Sequence, residues 1–173
     1  KHMVDDFRDY ARLPAPELAP LDLNDLIREV LGLYETSPAR IEIELAEDLP
    51  TIIGDVTQLR QVIHNLLRNA EDALEGHPDA RILIRSERRT HTARLIISDN
   101  GPGFPAALLA RVFEPYVTTK VKGTGLGLPI VKKIIDEHLG NIEISNSPAG
   151  GAWIEIRLPL EKEGEAHGDH SGR

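Results

Sequence analysis

The sequence predicts an α/β two-layer sandwich: a mixed, mostly antiparallel sheet with helices packed on one of its faces. Three observations lead there. Segments 22–34 and 55–75 repeat their apolar residues with the period of a helix, whereas 41–45 and 152–158 alternate apolar and polar residues with the period of a strand. The elements read in the order helix, strand, helix, two strands, loop, helix, two strands, which suits helices covering one side of a single sheet. A chain of 173 residues, 40% of them hydrophobic, is long and apolar enough for one sizeable core.

Met3 to Arg12 reads as the last turns of a helix, and Leu13-Pro14-Ala15-Pro16 ends it, because proline disfavours helix at its own position and at the one before. Residues 1–20 are therefore a helix end and linker, residues 21–160 the folded domain, and residues 161–173 a charged tail with nothing to bury and no expected structure. Lys1-His2-Met3 carries no functional weight, since such a start is either native or the scar of a tag. Asp22 to Tyr34 buries Leu23, Leu26, Ile27, Val30 and Leu31, and Ile41, Ile43 and Leu45 form a half-buried strand. Asp55 to Glu75 has the strongest helical period, with Val56, Leu59, Val62, Ile63, Leu66, Ala70 and Leu74 on one face and Gly76 and Pro78 as the stop. Arg81 to Glu87 and Arg94 to Ser98 form an antiparallel pair joined by a turn near Arg89 to His91. Phe104 to Gly123 mixes a short helical patch with a loop, and Leu128 to Leu139 returns to helix with Gly140 as its expected cap. Ile142 to Ser145 and Ala152 to Leu158 close the sheet, the latter with Ile154, Ile156 and Leu158 on one face.

Composition excludes several classes of function. Cysteine is absent, so neither disulfides nor thiol chemistry is supported, and no apolar run is long enough to span a membrane. No secretory signal is recognisable, so the cytoplasm is the expected location of this segment. A formal net charge of -8 argues against nucleic-acid binding, which needs a basic face. One basic island exists between Phe104 and Ile135, where Arg111, Lys120, Lys122, Lys132 and Lys133 stand against Glu114 alone.

Three short motifs carry candidate chemistry. Asn65, Asn69 and Asp72 are spaced to project from one stripe of the 55–75 helix, and about 100° per residue puts Gln58 on the same edge. Such a row of oxygens suits magnesium (Mg2+), which shares its ligands with nucleotide phosphates, although polar trim on a helix gives the same pattern. Asp99-Asn100-Gly101-Pro102-Gly103-Phe104 follows an apolar strand, where the glycines permit close backbone approach and the Asp99 carboxylate suits the amino group of an adenine. An ordinary Asp-Asn-Gly turn is the plainer alternative. Gly123-Thr124-Gly125-Leu126-Gly127-Leu128 opens a helix whose Pro129 fits a first turn, so free N–H groups and the helix dipole favour an anion.

Together, in this order, the motifs resemble the N, G1 and G2 boxes of the GHKL ATPases, the superfamily of gyrase, a heat-shock chaperone, MutL and histidine kinases. Phe113-Glu114-Pro115-Tyr116-Val117-Thr118-Thr119-Lys120 resembles the F box of the histidine kinase branch. With Arg157-Leu158-Pro159 closing the last strand, the match is to nitrogen-regulation-type sensor kinases and covers roughly Leu21 to Leu160. The resemblance implies the GHKL fold, a domain that binds ATP with Mg2+, and transfer of the γ-phosphoryl to a histidine on a dimerisation domain. It makes residues 1–20 the end of that domain's helix and its linker.

Residue by residue, the resemblance implies that Asn69 ligates magnesium, Asn65 supports the phosphate side and Asp99 binds the adenine amino group. Gly101 and Gly103 shape the purine pocket, and Pro102 to Thr124 form a lid anchored by Phe113. Thr118, Thr119, Lys120, Gly123, Thr124, Gly125, Leu126, Gly127 and Leu128 serve the nucleotide, with Lys120 reaching the terminal phosphates. Asn65, Asn69 and Lys120 are the catalytic candidates; Asp72 is a weaker nucleotide-binding one because its position varies in the family. Ala152 and Trp153 replace a threonine found in many relatives near the final strand.

None of His2, His64, His77, His91, His138, His167 or His170 has the sequence context of the family's phosphoacceptor. The resemblance therefore places the acceptor elsewhere, with the chain's own dimerisation domain and a response regulator as partners, this segment a monomer, and the full-length protein a homodimer whose anchoring in the inner membrane is left open. A non-catalytic nucleotide-sensing module that regulates a partner is the competing reading. Hydrolysis by another GHKL branch is less consistent with Asn65, because hydrolysing relatives typically carry a glutamate there.

Overall fold

The computed structural model describes residues 13–115 and 127–162. The expected helix at 3–12, the tail beyond 162, and Thr118, Thr119, Lys120, Gly123, Thr124, Gly125 and Leu126 lie outside the described residues.

The elements run β1 (Ala19–Leu21), α1 (Leu23–Leu31), β2 (Arg40–Glu44), β3 (Ile52–Gly54), α2 (Val56–Ala73), β4 (Arg81–Arg88), β5 (Thr92–Asp99), α3 (Ala106–Leu109), α4 (Gly127–Glu137), β6 (Asn141–Asn146) and β7 (Ala152–Pro159). The main sheet has the order β2-β4-β5-β7-β6, with β2 parallel to β4 and every other pair antiparallel. β1 and β3 form a separate antiparallel pair. Alternation along the strands sorts the two faces. Ile82, Ile84, Leu95, Ile97, Ile154, Ile156 and Leu158 join one core with Leu23, Ile27, Leu59, Ile63, Leu66, Ile130 and Ile134 of the helices. The intervening positions mix Leu83, Ile96 and Trp153 with charged residues: Arg94 reaches Glu87 at 2.9 Å and Glu155 at 2.6 Å, and Glu155 also pairs with Arg157. Among the described residues, the helices α1, α2 and α4 pack on the first of these faces, as the sequence predicts.

The long helix α2 starts where Asp55 accepts the Gln58 N–H at 3.0 Å, and its end is followed by Gly76 with φ at +79°. Its buried face contributes most to holding the layers together; truncating one such Leu or Ile to Ala costs about 2–5 kcal/mol. Asn24 is an amide within the apolar face of α1. It is satisfied there, donating to the Ala46 carbonyl at 2.7 Å and accepting from Ser86 Oγ at 2.7 Å, while Ser86 Oγ accepts the Ala46 N–H.

Several details depart from the expectations. β1 and β3 are additions, too short for a period to declare them. Val56 is 45% exposed rather than buried, because the first helical position still faces solvent. Ile43 is 52% exposed because β2 is an edge strand whose outer side no described residue covers. Gln58 is buried, not at the boundary of core and solvent, and its Nε2 donates to the Pro14 carbonyl at 2.9 Å. Finally, the left-handed residue that ends α4 is Leu139, with φ at +60°, and not Gly140. Gly140 follows it and donates to Ile135 O at 2.9 Å, a Schellman pairing completed by Leu139 N–H to Asp136 O at 3.0 Å. Glycine is needed at 140 for space, since a Cβ there would lie 2.5 Å from the Arg157 carbonyl.

Candidate functional site

Asp99 ends β5, the central strand of the sheet, and is half-buried there. Its Oδ1 accepts the Gly101 N–H at 2.9 Å and the Ala152 N–H at 3.4 Å. Burial pushes its pKa above the ordinary aspartate value, and these two backbone donors offset only part of that effect. A desolvated carboxylate with spare acceptor capacity is suited to reading a donor group on a ligand.

The turn after Asp99 is pressed against α2. A Cβ on Gly101 would lie 3.1 Å from the Ala73 carbonyl and 3.4 Å from Leu74 Cδ2, so the missing side chain is what allows the turn and the helix end to meet. Asn69 lies one helical turn before Ala73 and Asn65 one turn earlier, both half-buried, so the first two motifs share one end of the molecule. Asp72 is exposed on the same helix. Gly103 adopts φ of +77°, a conformation that favours glycine, and Asn100 ties the turn back to β4 by accepting the Arg81 N–H at 2.8 Å and donating to Asp79 O at 2.7 Å.

The third motif is described only at its end. Gly127 and Leu128 form the first positions of α4, with Pro129 in its opening turn, so their N–H groups have no partner earlier in the helix. Phe113 is partly buried against the core, and Lys132 Nζ of α4 stands 5.9 Å from its ring centroid. Among the described candidate residues, Phe113 alone lines a groove of about 640 Å3 between residues 109–114, strand β6 and Trp153. Trp153 thus belongs to that groove, while Ala152 touches Asp99 through its backbone, a contact that does not require the family's threonine.

Residues that sequence reasoning missed hold this site from the β6–β7 turn. Gly151 has φ of +90°, and a Cβ there would fall 1.8 Å from the Asp99 carbonyl oxygen. The Gly150-Gly151 pair was the available signal. Asn146 accepts the Phe104 N–H and donates to the Phe104 carbonyl, both at 2.8 Å. Nothing local in the sequence marks that contact.

At the opposite end, His138 is buried with Nδ1 on the Ile134 carbonyl at 2.8 Å and Nε2 accepting the Asp55 N–H at 2.9 Å, which assigns it a structural role. His64 pairs with the Tyr34 hydroxyl at 2.7 Å; burial lowers the His64 pKa and raises that of Tyr34 to about 12. Among the described residues, no group of three His, Cys, Asp or Glu side chains could hold a metal ion, so any fit to magnesium rests on the amide oxygens of α2 and on phosphates arriving with the ion.

A sheet with helices on one face, an aspartate at a strand end, asparagines on the facing helix and a helix N-terminus beyond them define a nucleotide-binding ATPase fold. The chain belongs to the family of histidine kinase-, DNA gyrase B- and HSP90-like ATPases, whose model matches residues 54–162. It is 40% identical over 164 residues to an NtrY-like sensor histidine kinase of Rickettsia bellii (strain RML369-C), covering 94% of this chain and 27% of that protein. It thus spans about a quarter of that relative's length. Among solved structures, the nucleotide-free catalytic domain of the histidine kinase ThkA is 35% identical with a TM-score of 0.73, over 83% of this chain and 96% of that one. ThkA in complex with the response regulator protein TrrA is 31% identical with a TM-score of 0.77, over 92% of this chain and 47% of that one.

Proposed function

We propose that this chain is the catalytic, ATP-binding domain of a two-component sensor histidine kinase of the nitrogen-regulation type. Residues 21–160 bind ATP, and residues 1–20 are the end of the dimerisation helix and its linker. The γ-phosphoryl goes to a histidine on that dimerisation domain, and a response regulator receives it in turn. The domain works on the cytoplasmic side, where ATP is available, and is a monomer without its dimerisation helices. The observation that carries this reading is the meeting of Gly101, whose N–H the Asp99 carboxylate accepts, with the C-terminal end of α2, one turn from Asn69.

Asp99 accepts from the adenine amino group, and Gly101 and Gly103 leave room for the purine. Asn69, supported by Asn65, holds magnesium, which when bound screens the phosphate charge. The N–H groups at the start of α4 face the phosphates, and Lys120 is the cation that would reach them. Phosphoryl transfer asks a protein for positioning and electrostatics more than for covalent chemistry, and these residues supply both.

Calorimetric titration of ATP with and without magnesium tests the reading. Wild type should bind with a magnesium-dependent component that Asn69→Ala abolishes while remaining folded. Phosphotransfer from ATP to a separately supplied dimerisation domain is then expected. A folded wild-type domain that binds neither ATP nor ADP would overturn the proposal.

A further inference from the structure

The stretch from Asp99 to Phe104, which carries the proposed adenine contacts, is held at both ends by one turn. At its start, Gly151 leaves space for the Asp99 carbonyl and the Ala152 N–H reaches Asp99 Oδ1 at 3.4 Å. At its finish, Asn146 grips Phe104 with paired bonds of 2.8 Å, its side-chain amide donating and accepting as a neighbouring strand's peptide group would. Between them Gly103 is drawn against that same side chain, a Cβ there lying 2.7 Å from Asn146 Oδ1. Asn146 and Ala152 are opposite each other in the β6–β7 register, so both grips come from one rung of the sheet. Gly101 then has its position fixed between the two ends, against the Ala73 carbonyl.

We infer that Asn146 is a positioning residue for adenine recognition, setting the path of residues 99–104 so that the Asp99 carboxylate and the glycine-lined space present themselves together. This rests on the proposed ATP-binding function and extends it to a residue outside the three motifs. Among the described residues, the side-chain bonds of Asn146 go to Phe104 and to none of the residues proposed for the phosphates or the metal, so its expected influence is on the base. Shape fixed in advance contributes to affinity by lowering the ordering cost of binding.

The test compares wild type, Asn146→Ala and Asn146→Asp by calorimetry with ATP, ADP and GTP, alongside thermal melts and hydrogen exchange of the Phe104 amide. For Asn146→Ala, binding of ATP and ADP should weaken about fivefold, the worth of two solvent-accessible hydrogen bonds. The preference for ATP over GTP should shrink by a similar factor, the magnesium-dependent component should persist, and the Phe104 amide should exchange faster. Asn146→Asp keeps the acceptor for the Phe104 N–H and loses the donor, so a loss of about twofold in the same direction is expected even where the alanine variant fails to fold. Faster exchange or a lower melting temperature with unchanged Kd and unchanged purine preference would reduce Asn146 to a structural role and overturn the inference while leaving the kinase reading intact. Wild type that binds no nucleotide overturns both.

Discussion

Two aspartates mark opposite ends of this domain, and they are treated oppositely. Asp55, at the start of α2, has its ionisation opposed by burial, but N–H donors from Glu17, Gln58 and Thr57 together with His138 outweigh that, and its pKa is held below the ordinary aspartate value. Asp99, at the end of β5, is also opposed by burial, and its donors, Gly101 and Ala152, do not compensate, so its pKa is raised. The first is saturated with protein partners and fastens the linker, α2 and α4 together. The second retains acceptor capacity at a thermodynamic cost, which suits the adenine-binding role proposed for it.

Asp99→Asn separates the two roles most sharply. The amide keeps an oxygen for Gly101 and Ala152 but presents a donor where an acceptor is needed, so ATP affinity should fall by about 30- to 100-fold, equivalent to roughly 2–3 kcal/mol. Thermal stability should hold or rise, since a desolvated charge has been removed. Calorimetry and melts on the same sample check both, and a variant that loses affinity only by unfolding would erase the contrast. The pH dependence sharpens it. A folded pKa above the unfolded value near 3.8 means that ionised Asp99 destabilises at neutral pH and that this penalty fades as pH falls through the folded pKa. The advantage of Asp99→Asn should therefore begin to close at a pH above 3.8 and be gone once the pH is below 3.8.

Asp55→Ala should behave in reverse. Losing the cap of an 18-residue helix, along with the Glu17 tether, should cost about 2 kcal/mol in urea denaturation and leave ATP affinity within about twofold of wild type. Here the folded pKa lies below the unfolded one, so ionised Asp55 stabilises at neutral pH and its contribution is lost only as pH falls below 3.8. The two variants thus converge with wild type in different windows. Convergence in the same window would mean that the two carboxylates are not held differently after all.

How much of this was legible in the sequence depends on range. α2, α4, β4, β5 and β7 were legible because each buries one face, and burial writes a period into the chain. The placement of the Asp99-to-Gly103 turn after β5, and of Asn65 and Asn69 on one stripe of α2, was legible because each is compact in sequence. β1 and β3 were not, being three residues each and stabilised by one another and by contacts with the core. Gln58 has the spacing of a site residue, yet its partner is the Pro14 carbonyl, 44 residues away. Asn146 is 42 residues from Phe104 and His138 is 83 from Asp55, so neither role leaves a local trace. What sequence reasoning loses is mainly polar contact between distant segments, which no periodicity encodes.

The end of α4 offers the smallest test and bears on the saturated side of the comparison. Leu139 is 81% exposed, so its side chain contributes little burial, yet it occupies a left-handed backbone conformation at φ +60° that an L residue with a Cβ adopts at a cost. The neighbouring His138 supplies the acceptor for Asp55, so the conformation persists because the surrounding bonds fix it. Leu139→Gly should relieve the strain, and although glycine gains freedom in the unfolded chain, the net effect should be a stabilisation of up to about 1 kcal/mol. Nucleotide affinity should not change. A chemical denaturation midpoint that falls instead would show that the freedom glycine gains in the unfolded chain outweighs the strain relieved at φ +60°, so that the bonds around His138 hold this left-handed turn at little cost.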